Sequence, residues 1–478
     1  MLIRFIPKKN SFNFKTNVFR NLTSQNIVLH DKEETVYIKN NDSNNFFKSS
    51  LEKSNIENIG IIGWGSQGSA QAMNLRDTIN KLNLNIPIKI GLRKNSNSIK
   101  DAKNIGFEVD TIENVLSSSD LNLMLISDDA QSKNYKKYFK CIKPGSTLGF
   151  SHGFLLGHLN NINADFPKEN NIIMVAPKGM GLTVRSEYLN GNGINSSIGV
   201  YNDVDSNAKN LALAWAFGIG SPQIFETTME KEYISDIFGE RAILLGGLHG
   251  IVEYLYKHFN EIYNNEFSFN ASVVYLVNDL SKEISNNGFL KLYNKMNKKD
   301  QEYFNTYYSK SYAISKLLYE EIYDEVSSGN EIRSVNLNSN RKISNISGSP
   351  MWTRNKYLKK DTSLLDSSTK TLISAIYIGS MMAQVDILSN KGHSYSEIVN
   401  ESIIEAVDSL NPYMLNYGIS NMIDNCSITA RLGARKWAPR LEAILNQNID
   451  NKKFTLNIDV KPFNKHKIHE IYKKIRSI

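Results

Sequence analysis

The sequence predicts an α/β protein, with a doubly wound parallel sheet in its N-terminal half and only helices in its C-terminal half. Three observations carry that reading. Residues 59–200 alternate short apolar strand candidates with helical or turn segments, which is the pattern of parallel strands joined by crossover helices. From about Thr228 to about Leu445 the apolar residues recur at helical spacing instead. At the head of the alternating region stands a glycine-rich turn, Gly63-Trp64-Gly65-Ser66-Gln67-Gly68, between the apolar run Ile59–Ile62 and a helix from about Ser69.

That turn reads G-x-G-x-x-G. Gly63 permits a tight turn, Gly65 lets backbone approach a pyrophosphate, and Gly68 lets the helix pack close to the strand. The helix then aims its free N–H groups at the phosphates. Alone the motif is an ordinary glycine turn, but a strand before it and a helix after it make it a Rossmann dinucleotide site. The second strand candidate, 86–92, ends in Arg93-Lys94-Asn95-Ser96-Asn97-Ser98. An NAD site usually places an acid there for the ribose 2′-hydroxyl. A guanidinium with two hydroxyls, Ser96 and Ser98, suits a 2′-phosphate, hence NADPH. The bland alternative is a basic surface loop.

Further strand candidates are 121–126, 146–150, 172–176 and 196–201. Ligands of such sheets bind beyond the carboxyl ends of the strands. Three segments fall there: Asp128-Asp129-Ala130-Gln131, Ser151-His152-Gly153 and Pro177-Lys178-Gly179-Met180-Gly181. Helices are expected over 230–259, 268–286, 300–327, 364–390, 395–409 and 429–446, with a loop over Asn336–Pro350. The polar, basic tail after Gln447 carries no assignable signal. The expected division is an N-terminal arm over 1–48, a dinucleotide-binding domain over 49–227, and two helical halves over 228–364 and 365–478.

With 478 residues, 41% of them hydrophobic and 22% charged, the chain reads as a globular protein with a large core. No apolar run reaches the roughly 18 residues of a membrane-spanning helix, so no membrane partner is expected. The net charge of +8 is spread along the whole chain, without a nucleic-acid recognition motif. A nucleic-acid-binding protein remains the alternative from another class, and it predicts steeply salt-dependent DNA binding. Two cysteines, Cys141 and Cys426, imply no disulfide framework and a reducing compartment. Residues 1–30 contain five basic residues and no acid, which is either transit-peptide composition or a basic disordered start.

Chemistry concentrates on two helices. Asp236 and Glu240 lie four residues apart on one face, which Ile243 and Gly247 are expected to continue at i+7 and i+11. Acids in line with apolar residues are costly unless a cation joins them, and two carboxylates one turn apart suit Mg²⁺. Glu397, Glu401, Glu405 and Asp408 form a second stripe, whose ordinary reading is a solvated face. Spacing does not choose among them. His152 at a strand end is commonly structural, yet with Lys178 it has the chemistry to shuttle protons. Ser427 offers a hydroxyl to a substrate or, read alone, a helix N-cap.

Seven stretches then match one family in order: Ile62–Asp77, Ile90–Ser98, Phe150–His158, Ala176–Gly181, Ser235–Glu240, Gly392–Tyr413 and Asp424–Arg440. The chain resembles the ketol-acid reductoisomerases, most of all their long plant form, over about residues 17–447. The resemblance implies a Rossmann domain plus a knotted, duplicated helical region. It implies that Asp236 bridges two Mg²⁺, that Glu240 binds the first, and that Glu401 and Glu405 complete the site, leaving Glu397 and Asp408 as bystanders. It makes His152 and Lys178 catalytic, and Ser427 and Leu410 substrate-binding. It assigns the cofactor to Gly63, Gly65, Gln67, Gly68, Arg93, Ser96, Ser98, Asp129, Gln131 and Gly181. The implied substrate is a small 2-hydroxy-2-alkyl-3-keto acid, either 2-acetolactate or 2-aceto-2-hydroxybutanoate. It undergoes alkyl migration and NADPH-dependent reduction in branched-chain amino acid synthesis. A homodimer or higher homo-oligomer in a plastid, or else in mitochondria or cytoplasm, is expected. A metal-free NADP-dependent hydroxy-acid dehydrogenase is the rival enzyme reading, but it leaves the acids on two helices unexplained.

Overall fold

The computed structural model describes residues 24–339, 357–451, 458 and 460–478. Ten strands among them form one sheet: β1 (Ser24–Leu29), β2 (Lys32–Ile38), β3 (Ile59–Ile62), β4 (Ile88–Leu92), β5 (Glu108–Thr111), β6 (Leu121–Met124), β7 (Thr147–Phe150), β8 (Asn171–Pro177), β9 (Ser196–Asn202) and β10 (Gln223–Glu226). Their order is β1-β2-β10-β9-β8-β7-β6-β3-β4-β5. The run from β5 to β8 is parallel, and the chain reverses direction across the sheet between β3 and β6. That switch point opens the crevice in which doubly wound sheets bind ligands.

The sheet is not parallel throughout, as the sequence led us to expect. β9 runs antiparallel to β8, and the β1–β2 hairpin closes the far edge antiparallel to β10. The strands found in the sequence include the fully buried ones, β3, β6 and β7. Burial on both faces demands an unbroken apolar run. β5, with sequence Glu-Val-Asp-Thr, has no fully buried residue and leaves no such run. The predicted helix after the glycine turn begins earlier, at Ser66, directly behind Gly65.

The C-terminal half is helical, with corrections at the breaks. The single helix expected over 230–259 is two, Met229–Arg241 and Gly246–Asn260. Between them the backbone folds back so closely that a Cβ on Gly246 would lie 2.4 Å from the Arg241 carbonyl oxygen. Ile243 and Gly247 therefore do not prolong the acidic face of the first helix. The segment expected as 268–286 comprises Asn265–Phe269, eleven residues of wide i→i+5 turns over Asn270–Leu280, and a helix Ser281–Asn294 bent at Gly288. The second acidic segment has the same form, with Tyr395–Val399 leading into wide turns over Asn400–Leu410. Of the expected loop Asn336–Pro350, Asn336–Asn338 end a helix that starts at Asn330, and the rest lies outside the described residues.

Lys298–Ser327 and Ser367–Asn390 pack along each other as the spine of this half. Ser367–Asn390 is long and apolar enough to cross a membrane, but 94% of its most apolar 18-residue window is buried inside the protein, as in a core helix. One apolar core runs from a face of the sheet, through Ile62, Leu148 and Phe150, into the helices. The tail, unread in the sequence, ends in a helix Ile468–Ser477 whose Ile468, Ile471, Tyr472 and Ile475 are buried.

Candidate active site

A cavity of about 400 Å³ lies at the switch point. The sheet contributes the glycine turn and the loops after β6, β7 and β8, and the helices contribute carboxylates and Ser427.

At the dinucleotide end, Gly63 adopts φ 114°, a conformation open to glycine. A Cβ on Gly65 would meet nothing within 4 Å, so its backbone faces open space, while one on Gly68 would strike the Gly63 carbonyl at 2.7 Å. Ser66 and Gln67, the first residues of the helix Ser66–Lys81, line the cavity with Gly65. Arg93, Ser96 and Ser98 follow β4, the strand beside β3, and lie outside the cavity wall. Arg93 is exposed, Ser96 N donates to its carbonyl at 2.9 Å, and Ser98 N donates to Ser96 Oγ at 3.3 Å. Gln67 and Gln131 line the cavity but use their amides inside the protein: Gln67 Nε2 donates to Gly179 O at 3.0 Å and Gln131 Nε2 to Ile126 O at 2.9 Å. Gly181 starts a helix against the Ser66 backbone, where a Cβ would lie 2.1 Å from the Ser66 carbonyl oxygen. Asp129 is not brought to the cavity wall. It pairs with Lys133 at 2.7 Å and accepts a hydrogen bond from Ser339.

At the other end His152, Asp236, Glu240, Glu405, Leu410 and Ser427 line the cavity, with Lys178 and Glu401 buried just behind. His152 Nε2 lies 2.9 Å from Asp236 Oδ2, and its Nδ1 lies 3.8 Å from Asp128 Oδ1. Burial opposes a charge on this imidazole, but the carboxylates of Glu232 and Asp236 overrule it and hold His152 well above its ordinary range. Lys178 Nζ pairs with Glu401 and lies 3.4 Å from Glu232 Oε1. Burial likewise opposes its charge, and those two carboxylates hold the ammonium above its ordinary range. Lys178 is thus held as a cation among these neighbours. Ser427 caps the helix Ile428–Asn448, its Oγ accepting from Ala430 N at 2.9 Å. An accepting hydroxyl keeps its own hydrogen to donate.

Glu232 escaped the sequence reading. It is buried one turn before Asp236, accepts a hydrogen bond from Gly153 N at 2.9 Å, and forms a group with His152 and Asp236 close enough to hold a metal ion. The signal was present, since acids at 232, 236 and 240 repeat at i, i+4, i+8.

The second acidic stripe is not a solvated face. Glu397 and Glu401 are buried, Glu405 is half-buried, and only Asp408 is exposed, because this segment packs on the first acidic helix. Burial, reinforced by neighbouring carboxylates and only partly offset by Lys178, pushes Glu401 up to about 8. Burial with Glu401 and Asp236 pushes Glu405 well above the carboxylate range, and burial with Asp236 does the same to Glu240. Asp236 alone among these ligand candidates is held low, because His152 outweighs its burial. Cys426, beside Ser427, is a free thiol pushed up by burial, and Cys141 is free as well.

A glycine-turn sheet whose switch-point crevice is closed by carboxylate-bearing helices defines a dinucleotide-dependent oxidoreductase. Residues 55–224 match the family described as acetohydroxy acid isomeroreductase, NADPH-binding domain, and residues 229–363 match the ketol-acid reductoisomerase C-terminal domain. The "Ketol-acid reductoisomerase, chloroplastic" of Spinacia oleracea is 44% identical over 463 residues, covering 92% of this chain and 77% of that protein. That of Pisum sativum is 45% identical over 460 residues, covering 91% and 78%. An NADH-preferring ketol-acid reductoisomerase from an uncultured archaeon shares the fold at a TM-score of 0.53 and 24% identity, over 66% of this chain and 92% of that one. The chain belongs to the ketol-acid reductoisomerase family.

Proposed function

We propose that the chain converts 2-acetolactate and 2-aceto-2-hydroxybutanoate into 2,3-dihydroxy-3-methyl carboxylic acids, using NADPH and two Mg²⁺ held by Asp236, Glu240, Glu401 and Glu405. One observation carries the metal part. Carboxylates from two helices converge beside the dinucleotide crevice, offset among the described residues by Lys178, His152 and Arg241. Oε2 of both Glu401 and Glu405 is buried with no hydrogen-bond donor among the described residues. Oxygen-only donors with unmet negative charge fit a hard divalent cation.

When bound, Mg²⁺ supplies a Lewis acid that polarises the keto group and stabilises an alkoxide, and NADPH supplies hydride. The protein's own groups do the rest. His152 sets its Nε2 2.9 Å from Asp236 Oδ2, where the imidazole can hold or give a proton. Lys178 neutralises Glu232 and Glu401, which keeps the second acidic segment against the first. Ser427 donates its hydroxyl hydrogen to a substrate oxygen, and Leu410 lines the cavity where the alkyl group moves. Arg93, Ser96 and Ser98 take the 2′-phosphate.

The experiment is turnover of 2-acetolactate with NADPH in Mg²⁺ and in chelator. Full activity in chelator, or in Asp236→Asn, would remove the metal assignment. We also place the protein in the plastid. The chloroplastic names of its plant relatives and the acid-free first 30 residues support this. A fluorescent fusion of residues 1–40 that stays in the cytosol would overturn it.

A further inference from the structure

Arg241 ends the first acidic helix and is fully buried. Its guanidinium spans three elements. Nη1 donates to Glu240 Oε2 at 3.3 Å and to Ile237 O at 3.1 Å. Nε donates to Glu331 Oε2 at 2.7 Å. Nη2 donates to Thr429 O at 3.3 Å, in the first turn of the helix that Ser427 caps. Glu331 is fixed in turn by Lys436 Nζ at 2.5 Å and Trp437 Nε1 at 3.1 Å. The berth for the guanidinium is cut into that same helix: a Cβ on Gly433 would lie 2.4 Å from Arg241 Cζ.

An arginine that only joined helices would need Glu331 alone. Here one edge of the fork faces Glu331, and another faces a carboxylate that lines the cavity. We propose that Arg241 is a positioning residue. It fixes the Glu240 carboxylate and, through the Thr429 carbonyl, keeps the turn bearing Ser427 in register with it. This inference rests on the metal reading above. Partners of metal ligands commonly set affinity by orienting the ligand. Lysine would keep the charge but lose the planar fork that serves four acceptors at once.

The test uses the full chain and three variants: Arg241→Lys, Glu331→Gln and Gly433→Ala. Gly433→Ala leaves every charge in place and introduces a better helix former, so it perturbs the guanidinium by contact alone. Mg²⁺ binding is followed by calorimetry without substrate, NADPH binding by fluorescence, and folding by thermal melts. We expect the Mg²⁺ dissociation constant to rise about 10- to 100-fold in Arg241→Lys and Gly433→Ala, with NADPH binding unchanged. A purely structural role would lower the melting temperature and leave the Mg²⁺ isotherm of the folded protein as in the wild type. That result in Gly433→Ala overturns the inference, whether or not Arg241→Lys folds. A wild-type protein that binds no Mg²⁺ overturns the metal reading and this inference with it.

Discussion

The carboxylate of Glu397 accepts hydrogen bonds from Ser235 Oγ at 2.6 Å and Thr227 Oγ1 at 3.1 Å, and pairs with His393 Nδ1 at 3.2 Å. Ser235 immediately precedes Asp236, so Glu397 ties the second acidic segment to the first without facing the cavity. Burial would raise its carboxyl, but His393 and Ser235 outweigh burial and hold it below the ordinary range. A carboxyl depressed on folding stabilises above its unfolded pKa of about 4.5, and that stabilisation is lost as pH falls through the folded value. Glu397→Gln should therefore cost about 1–3 kcal/mol near neutral pH. The deficit should shrink below about pH 4.5. Urea unfolding across that range checks both. An unchanged midpoint at neutral pH would return Glu397 to the bystander role that the family resemblance implies. The sequence could not distinguish it, because Glu397, Glu401, Glu405 and Asp408 share one stripe. What separates them is the helix packed opposite, and no local pattern reports that.

The two wide-turn segments read Asn-Ala-Ser-Val-Val-Tyr-Leu-Val-Asn-Asp-Leu and Asn-Glu-Ser-Ile-Ile-Glu-Ala-Val-Asp-Ser-Leu. Asn, Ser, Val and Leu recur at the same places, so the helical halves repeat at the level of an element. Where the second copy carries Glu401 and Glu405, the first carries Ala271 and Tyr275. The repeated form is thus independent of the acids, and only the second copy has oxygens to offer a cation. Sequence periodicity marked both segments as helical but not as wide-turned. The closing helix Ile468–Ser477 was legible in principle, since its four buried residues fall at i, i+3, i+4 and i+7. It links Val28 O to Lys474 Nζ at 3.1 Å and Asp408 Oδ2 to Arg476 Nη1 at 2.6 Å. Ile471 is fully buried, whereas the Arg476–Asp408 pair is about a third exposed on each side. Packing should dominate: Ile471→Ala is expected to cost about 2–5 kcal/mol. Arg476→Gln should cost at most about 1 kcal/mol. Denaturant melts of the two variants decide, and an equal or reversed order would make the clasp electrostatic.

Across the whole molecule neither half holds a complete site, since the sheet brings the dinucleotide crevice and the helices bring the carboxylates. The glycine turn, the strand ends and the first acidic pair were each legible in the sequence. Their meeting was not, because it depends on a core shared by sheet and helices. That meeting has a thermodynamic cost. Burial and the carboxylates of Glu401 and Asp236 push Glu405 well above its ordinary range. A carboxyl raised on folding imposes a penalty that is absent below its unfolded pKa, grows as pH rises towards the folded value, and stays constant above it. Without a cation at about pH 8, Glu405→Gln should remove part of that penalty and melt above the wild type. Added Mg²⁺ stabilises whichever protein binds it by RT ln(1 + [Mg²⁺]/Kd), so the wild type should gain more than the variant and the order of melting temperatures should reverse. Thermal melts of both proteins in chelator and across a Mg²⁺ titration test this. A variant that already melts below the wild type in chelator would show Glu405 stabilised by protein partners alone, and its carboxylate would then have no call on a metal ion.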